Sequence, residues 1–270
     1  MLYPWKVRLL KTFLGGRIWR WWQGQLGHPV GNYSDLHRYI KNYAPGHSFV
    51  DIGCMWGVNG DYAFLAEEVG ATMVKGVDVF GPTPEFELRK KDRNSAVEFI
   101  LGDIGHPSTI AKVGMVDVVF CAGVLYHHPS PFDLLVALRR ICGKFMILRT
   151  STVPEVSNLP NVAVYFPMLK DQDRALWDLS GTGLRNQVGI ASAFQPEAGY
   201  GNWFWGLTPS CLESLLATAG FRVEHRATEA FAQTVVCTPT AVPFEHYLPE
   251  NSEAIGIAAA ISQSGEAQPA

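Results

Sequence analysis

The chain lacks the features that mark several special classes of protein. No apolar run approaches the ~20 residues needed to span a bilayer, and the basic N-terminus has no unbroken apolar stretch of signal-peptide length. The five cysteines, Cys54, Cys121, Cys142, Cys211 and Cys237, are odd in number, scattered and without CxxC spacing. That pattern signals neither a disulfide framework nor a zinc knuckle, and reduced core thiols in a soluble, cytoplasmic protein are expected. Charge is also sparse: 17% of residues are Asp, Glu, Lys or Arg, and the formal net charge is -3. Such a balance supplies no global pull toward nucleic acid or anionic lipid. Finally, there is no GxxxxGK[ST] pattern, so nothing signals a nucleoside triphosphate cradle.

What is present is apolar material in quantity: 47% of 270 residues are hydrophobic, enough for one substantial core in one domain with decorations. Residues 1–47 read as an N-terminal helical and basic segment, with Lys6, Arg8, Lys11, Arg17 and Arg20 interleaved with Trp5, Phe13, Trp19, Trp21 and Trp22. It is expected to fold across a ligand cleft; an amphipathic helix lying on a membrane surface is the alternative. Residues 48–240 form the main domain, and 241–270 an Ala, Ser and Glu tail without fixed structure.

Within the main domain, strand signals at 48–52, 72–79, 97–101, 116–121 and 144–149 alternate with helical runs at 62–69 and 132–141. A helix begun by Thr208-Pro209 and stopped at Gly220 leads into two more strands, 221–225 and 231–237. The expected fold class is therefore α/β: a Rossmann-like, seven-stranded, mostly parallel sheet with helices on both faces. An aromatic-rich insert at 151–206 follows the fifth strand and is expected to cap the substrate pocket.

The chemistry concentrates at strand ends. Asp51-Ile52-Gly53 closes the first strand and Gly57 opens the next helix, so main-chain N–H groups can approach a ligand where a side chain would obstruct it. Asp78 closes the second strand with two acceptor oxygens, the requirement for gripping both hydroxyls of a ribose. Asp103 closes the third and could accept from an adenine amino group, with Ile104 against the ring. Each Asp taken singly could be a helix cap or turn residue; three at successive strand ends point to a nucleoside held by sugar and base.

The segments Asp51-Ile52-Gly53-Cys54 with Gly57, then Asp78, Asp103-Ile104, and Val116 through His127 with Gly123-Val124-Leu125-Tyr126-His127, resemble the motifs of class I S-adenosylmethionine-dependent methyltransferases. The last string is similar to the branch that carboxymethylates the wobble uridine of transfer RNA. The resemblance implies S-adenosyl-L-methionine as cofactor and S-adenosylhomocysteine as product. It places Asp51 and Gly53 near the methionine part, Asp78 and Val79 at the ribose, Asp103 and Ile104 at the adenine, and Ala122 with Tyr126 beside the sulfonium, and counts Cys54 and Gly57 among the cofactor-binding residues. Met55 departs from the pattern, standing where the family carries a third glycine, and Trp56 could pack or offer a ring face to the sulfonium.

Methyl transfer to a hydroxyl needs a group that removes a proton, and His127 is the candidate base or orienter, a packing role being the competing reading. No metal site is expected, since His127 and His128 have no carboxylate or thiol at ligand spacing; Asp171 and Asp173 read as solvated charges. The leading functional expectation is methylation of a small-molecule acceptor, a specialised metabolite or glycan, beneath the aromatic insert. A transfer RNA-modifying methyl- or carboxymethyltransferase and a catalytically silent binding module are the alternatives. Exposed tryptophans of the first segment could serve a homodimer.

Overall fold

The computed structural model describes residues 34–153, 155–156, 158–174, 193–228 and 232–241, with the isolated positions 12, 14, 18 and 244. Most of the N-terminal segment expected to cover the cleft, all of its tryptophans, and nearly all of the C-terminal tail therefore lie outside the described residues.

The elements follow in the order α1 (Ser34–Tyr43), β1 (Ser48–Ile52), α2 (Asp61–Glu68), β2 (Met73–Asp78), α3 (Pro84–Asp92), β3 (Glu98–Leu101), α4 (Pro107–Val113), β4 (Val116–Ala122), α5 (Pro131–Ile141) and β5 (Cys142–Ser151). After β5 come β6 (Ala163–Tyr165), β7 (Trp205–Leu207), α6 (Pro209–Thr218), β8 (Phe221–Thr228) and β9 (Ala232–Pro239). Seven strands form one sheet in the order β3-β2-β1-β4-β5-β9-β8. Strands β1 to β5 pair in parallel, while β9 is antiparallel to both β5 and β8.

Strand β1 explains the architecture. Its residues are almost all buried, because a parallel strand covered on both faces reads as a continuous apolar run. Val50 and Ile52 point into one core layer with Val119 and Cys121 of β4, Leu134 and Leu138 of α5, and Leu212 of α6. Phe49 points into the other layer with Val118 and Phe120, Leu36 and Ile40 of α1, Phe64 of α2 and Phe86 of α3. Truncating any of these phenylalanines to Ala would cost about 3–5 kcal/mol. Because α1 is part of that layer, the folded unit reaches upstream of the boundary expected at residue 48.

Local chemistry sets the helix starts. Thr83 and Thr208 each precede a proline at the first helical position and cap with their hydroxyls, accepting from Phe86 N at 3.1 Å and Cys211 N at 3.3 Å. All five cysteines are buried free thiols. Burial pushes those of Cys142 and Cys237 up to about 12, so they behave as apolar core residues.

The insert holds a small sheet that the aperiodic sequence does not announce. Strands β6 and β7 pair antiparallel, Ala163 opposite Leu207 and Tyr165 opposite Trp205. A bridge from Thr152 to Leu207 ties the pair to the end of β5. No helix among the described residues is long and apolar enough to cross a membrane.

Candidate functional site

Strand β1 is flanked by β2 on one side and β4 on the other, so the chain's winding reverses there and a crevice opens at the strands' carboxyl ends. A cavity of about 390 Å³ occupies that crevice.

The turn after β1 forms its floor. Gly53 N donates to Val77 O at 2.8 Å, and Gly53 sits at φ +83°, in the left-handed region. A Cβ at Gly53 would come within 2.4 Å of Val124 Cγ2, so only glycine fits between the turn and the β4 loop. Gly57 follows at φ +75°, with open space where a side chain would stand.

Asp78, at the end of β2, shapes the same turn. Its Oδ2 accepts from Met55 N at 2.7 Å and its Oδ1 from Phe80 N at 2.9 Å. Each oxygen keeps a second lone pair, so the carboxylate can brace the loop and still receive hydroxyls. The Met55 departure is resolved by this contact: its main chain serves Asp78 while its side chain is buried in the core. Asp103 receives Gly105 N on Oδ1 at 2.8 Å and the Tyr200 hydroxyl on Oδ2. Burial first, and then that bond, push the Tyr200 hydroxyl up to about 12, so it stays a donor.

Of the anticipated residues, Gly53, Gly57, Asp78, Val79, Asp103, Ile104, Ala122, Tyr126 and His127 all line the cavity, joined by Trp56. Two do not. Cys54 is fully buried, its Sγ lying 2.8 Å from where a Cβ on Gly76 would stand, so the side chain packs under β2. Asp51, 1% exposed, lies behind the turn with its Oδ2 lacking any hydrogen-bond partner among the described residues. Burial above all, then the nearby Asp78, push its carboxyl up to about 8, so Asp51 is neutral over much of the physiological range. Asp51 alternates with Ile52 along β1 and so faces away from the side on which Ile52 lines the cavity, while Cys54, past the strand's end, packs into the core against β2.

The opposite end of the cavity is aromatic. His127 lies in the 3₁₀ turn Leu125–His127, with ring centroids 4.3 Å from Tyr126, 5.5 Å from Trp56 and 5.7 Å from Trp203. Burial lowers its pKa below the ordinary imidazole value, opposed by the hydrogen bond from Nδ1 to Asn202 O at 2.8 Å. Trp56 remains 57% exposed at the mouth. Phe204 N donates to Tyr126 O at 2.8 Å and Trp205 Nε1 to Pro129 O at 2.9 Å, so the insert is laced onto the loop that carries His127.

Three participants went unseen in the sequence: Tyr200 on Asp103, Asn202 on His127, and Arg149, which lines the cavity from β5 and donates to Thr234 Oγ1 at 2.9 Å. Tyr200 belonged to the insert's aromatic group, but nothing in an aperiodic stretch indicates its partner. Asp171 and Asp173 lie in the short helical turn Asp171–Arg174. Among the described residues no group of three His, Cys, Asp or Glu could hold a metal ion.

Residues 34–145 match the family described as FtsJ-like methyltransferase. The tRNA U34 carboxymethyltransferase of Shewanella frigidimarina is 31% identical over 127 residues, which is 40% of this chain and 34% of that protein. The enzyme of the same name from Haemophilus influenzae is 32% identical over 129 residues, 43% of this chain and 36% of that one. The chain thus spans about a third of the length of the curated relatives it matches. Among solved structures, the N-terminal domain of EvdMO1 with S-adenosylhomocysteine bound is similar at 19% identity, covering 78% of this chain and 82% of that one with a TM-score of 0.51. The 1,6-didemethyltoxoflavin-N1-methyltransferase of Burkholderia thailandensis is similar at 13% identity, covering 88% of each chain with a TM-score of 0.52. The chain therefore has the class I S-adenosylmethionine-dependent methyltransferase fold, and its sequence likeness runs to the transfer RNA wobble branch, as its motifs imply.

Proposed function

We propose that the protein is an S-adenosylmethionine-dependent methyltransferase. The observation that carries this reading is the convergence, in one cavity, of two strand-end carboxylates, a glycine turn and the half-buried His127. The residues fit the cofactor: Gly53 and Gly57 bring main chain without side chains to the cavity wall, and Asp78 retains lone pairs for a ribose edge. Asp103 retains acceptor capacity toward an adenine amino group, with Ile104 buried beside it. The bound cofactor supplies an electrophilic methyl group. His127, held neutral by burial, removes the proton of the incoming nucleophile, and the rings of Tyr126 and Trp56 exclude water around it.

For the acceptor, the aromatic wall supports a planar or ring-bearing group. The names of the curated relatives favour transfer RNA over the free small molecule expected from the insert, and a nucleobase turned out of its stack meets the same requirement of a flat ring in an aromatic pocket. The free small molecule is the second reading, favoured by the chain's slight net negative charge. A cytoplasmic setting accords with five unpaired buried thiols.

The test is label transfer. Protein incubated with methyl-labelled S-adenosylmethionine should label bulk transfer RNA or, on the second reading, a low-molecular-weight fraction of cell extract. Label in neither fraction, from protein shown to bind the cofactor, would refute the activity.

A further inference from the structure

We infer that Asn202 is a positioning residue that holds His127 in its Nδ1-protonated tautomer and so leaves the imidazole lone pair on Nε2. The consequence for catalysis rests on the reading of His127 as proton acceptor; the tautomer itself follows from the geometry alone.

His127 Nδ1 lies 2.8 Å from the main-chain oxygen of Asn202. A carbonyl oxygen only accepts, so Nδ1 must carry the hydrogen, and a neutral imidazole has only one such hydrogen to place. The proton-accepting nitrogen is then Nε2. The rings of Trp56, Tyr126 and Trp203 also stand beside the imidazole.

The carbonyl can dictate a tautomer only if it is itself immobile, and the side chain of Asn202 makes it so. The carboxamide Oδ1 accepts from Gln195 N at 2.9 Å, and Nδ2 donates to Gln195 O at 2.7 Å and to Gly199 O at 2.9 Å. These three bonds close 195–202 on itself, with Asn202 only 8% exposed. Its own N–H donates to Gly199 O at 3.2 Å, and two residues on Phe204 N is fixed to Tyr126 O. One amide thus cross-braces the turn of the insert whose carbonyl faces His127. No other side-chain type has both an acceptor and a two-hydrogen donor at this reach except the longer glutamine.

The test is tautomer-resolved NMR on protein labelled with 15N in its imidazoles, at a pH where His127 is neutral, with its signal identified by loss in His127→Gln. Wild type should show a protonated Nδ1 and an unprotonated Nε2; the reverse would overturn the inference without any variant. In Asn202→Ala the signal should move toward the Nε2-protonated form, and label transfer should fall at least about tenfold while S-adenosylhomocysteine affinity stays within about twofold. Asn202→Asp keeps the acceptor for Gln195 N but loses both donations, and should fall between. An Asn202→Ala protein that keeps both the tautomer and its turnover would also overturn the inference. A shifted tautomer with unchanged turnover would uphold the positioning role and sink His127 as base instead.

Discussion

The two halves of the cavity are built by different means. On the cofactor side, the wall is sheet: strand ends deliver Asp78 and Asp103, a left-handed glycine makes the turn, and main-chain hydrogen bonds such as Gly53 N to Val77 O set the geometry. On the acceptor side, the wall is an insert that owes its place to particular side chains, with Tyr200 on Asp103, Asn202 on Gln195 and Gly199, and Trp205 on Pro129. The first half is a property of the fold. The second depends on side chains of the insert and, on the proposed reading, is where the acceptor would be chosen.

Substitutions on the two sides should therefore fail differently. The largest effect is expected for Gly53→Ala, which forces a Cβ into a left-handed turn against Val124. Backbone strain of about 1–3 kcal/mol and a displaced loop should remove detectable S-adenosylhomocysteine binding in calorimetry and lower the melting temperature. Trp56→Ala should do the reverse: cofactor affinity within about threefold, but transfer to the acceptor down at least about tenfold, from the loss of base–aromatic stacking worth about 1–3 kcal/mol. Equal losses in both assays would show that the halves are not separable.

Tyr200→Phe addresses a contact that joins them, the tyrosine hydroxyl on Asp103. Removing a hydroxyl that donates to a carboxylate should weaken cofactor binding by about 3- to 10-fold, as Asp103 loses an ordering partner. No change would mean that the insert does not reach the adenine end functionally.

How much of this could be read from the sequence follows the same division. The seven strands, the helices α2, α5 and α6, and the carboxylates Asp78 and Asp103 were legible because parallel strands write themselves as apolar runs and close on polar residues at the crevice. Cys54 and Asp51 were assigned to the ligand by motif, and a motif does not say which way a side chain turns: both side chains are buried outside the cavity lining. The pairing of β6 with β7 was not legible, since three-residue strands separated by some 40 positions carry no period and gain their register from contact alone. Tyr200 and Asn202 were hidden for the same reason: their roles are long-range contacts.

A separate effect, on stability and its pH dependence, concerns Asp51. Burial pushes its folded carboxyl from the ordinary 3.8 up to about 8, so between those values the native state holds a proton that the unfolded chain has released. Stability from this group is therefore greatest at the acid end of that window and declines as pH rises toward about 8. Asp51→Asn, which cannot ionise, should flatten the decline in thermal melts recorded from pH 5 to 8; an unchanged slope would show that the buried carboxyl is not the titrating group.

The central claim is that Asp78 presents its carboxylate to the ribose of a bound adenosine. Calorimetric titration with S-adenosylhomocysteine, run in parallel on the wild type and on Asp78→Ala, tests it most directly. Saturable binding by the wild type, weakened by about 30-fold or more in the variant as charge-assisted hydrogen bonds are lost, is the predicted result. Equal affinity in both proteins, or no binding by the wild type, would contradict the account.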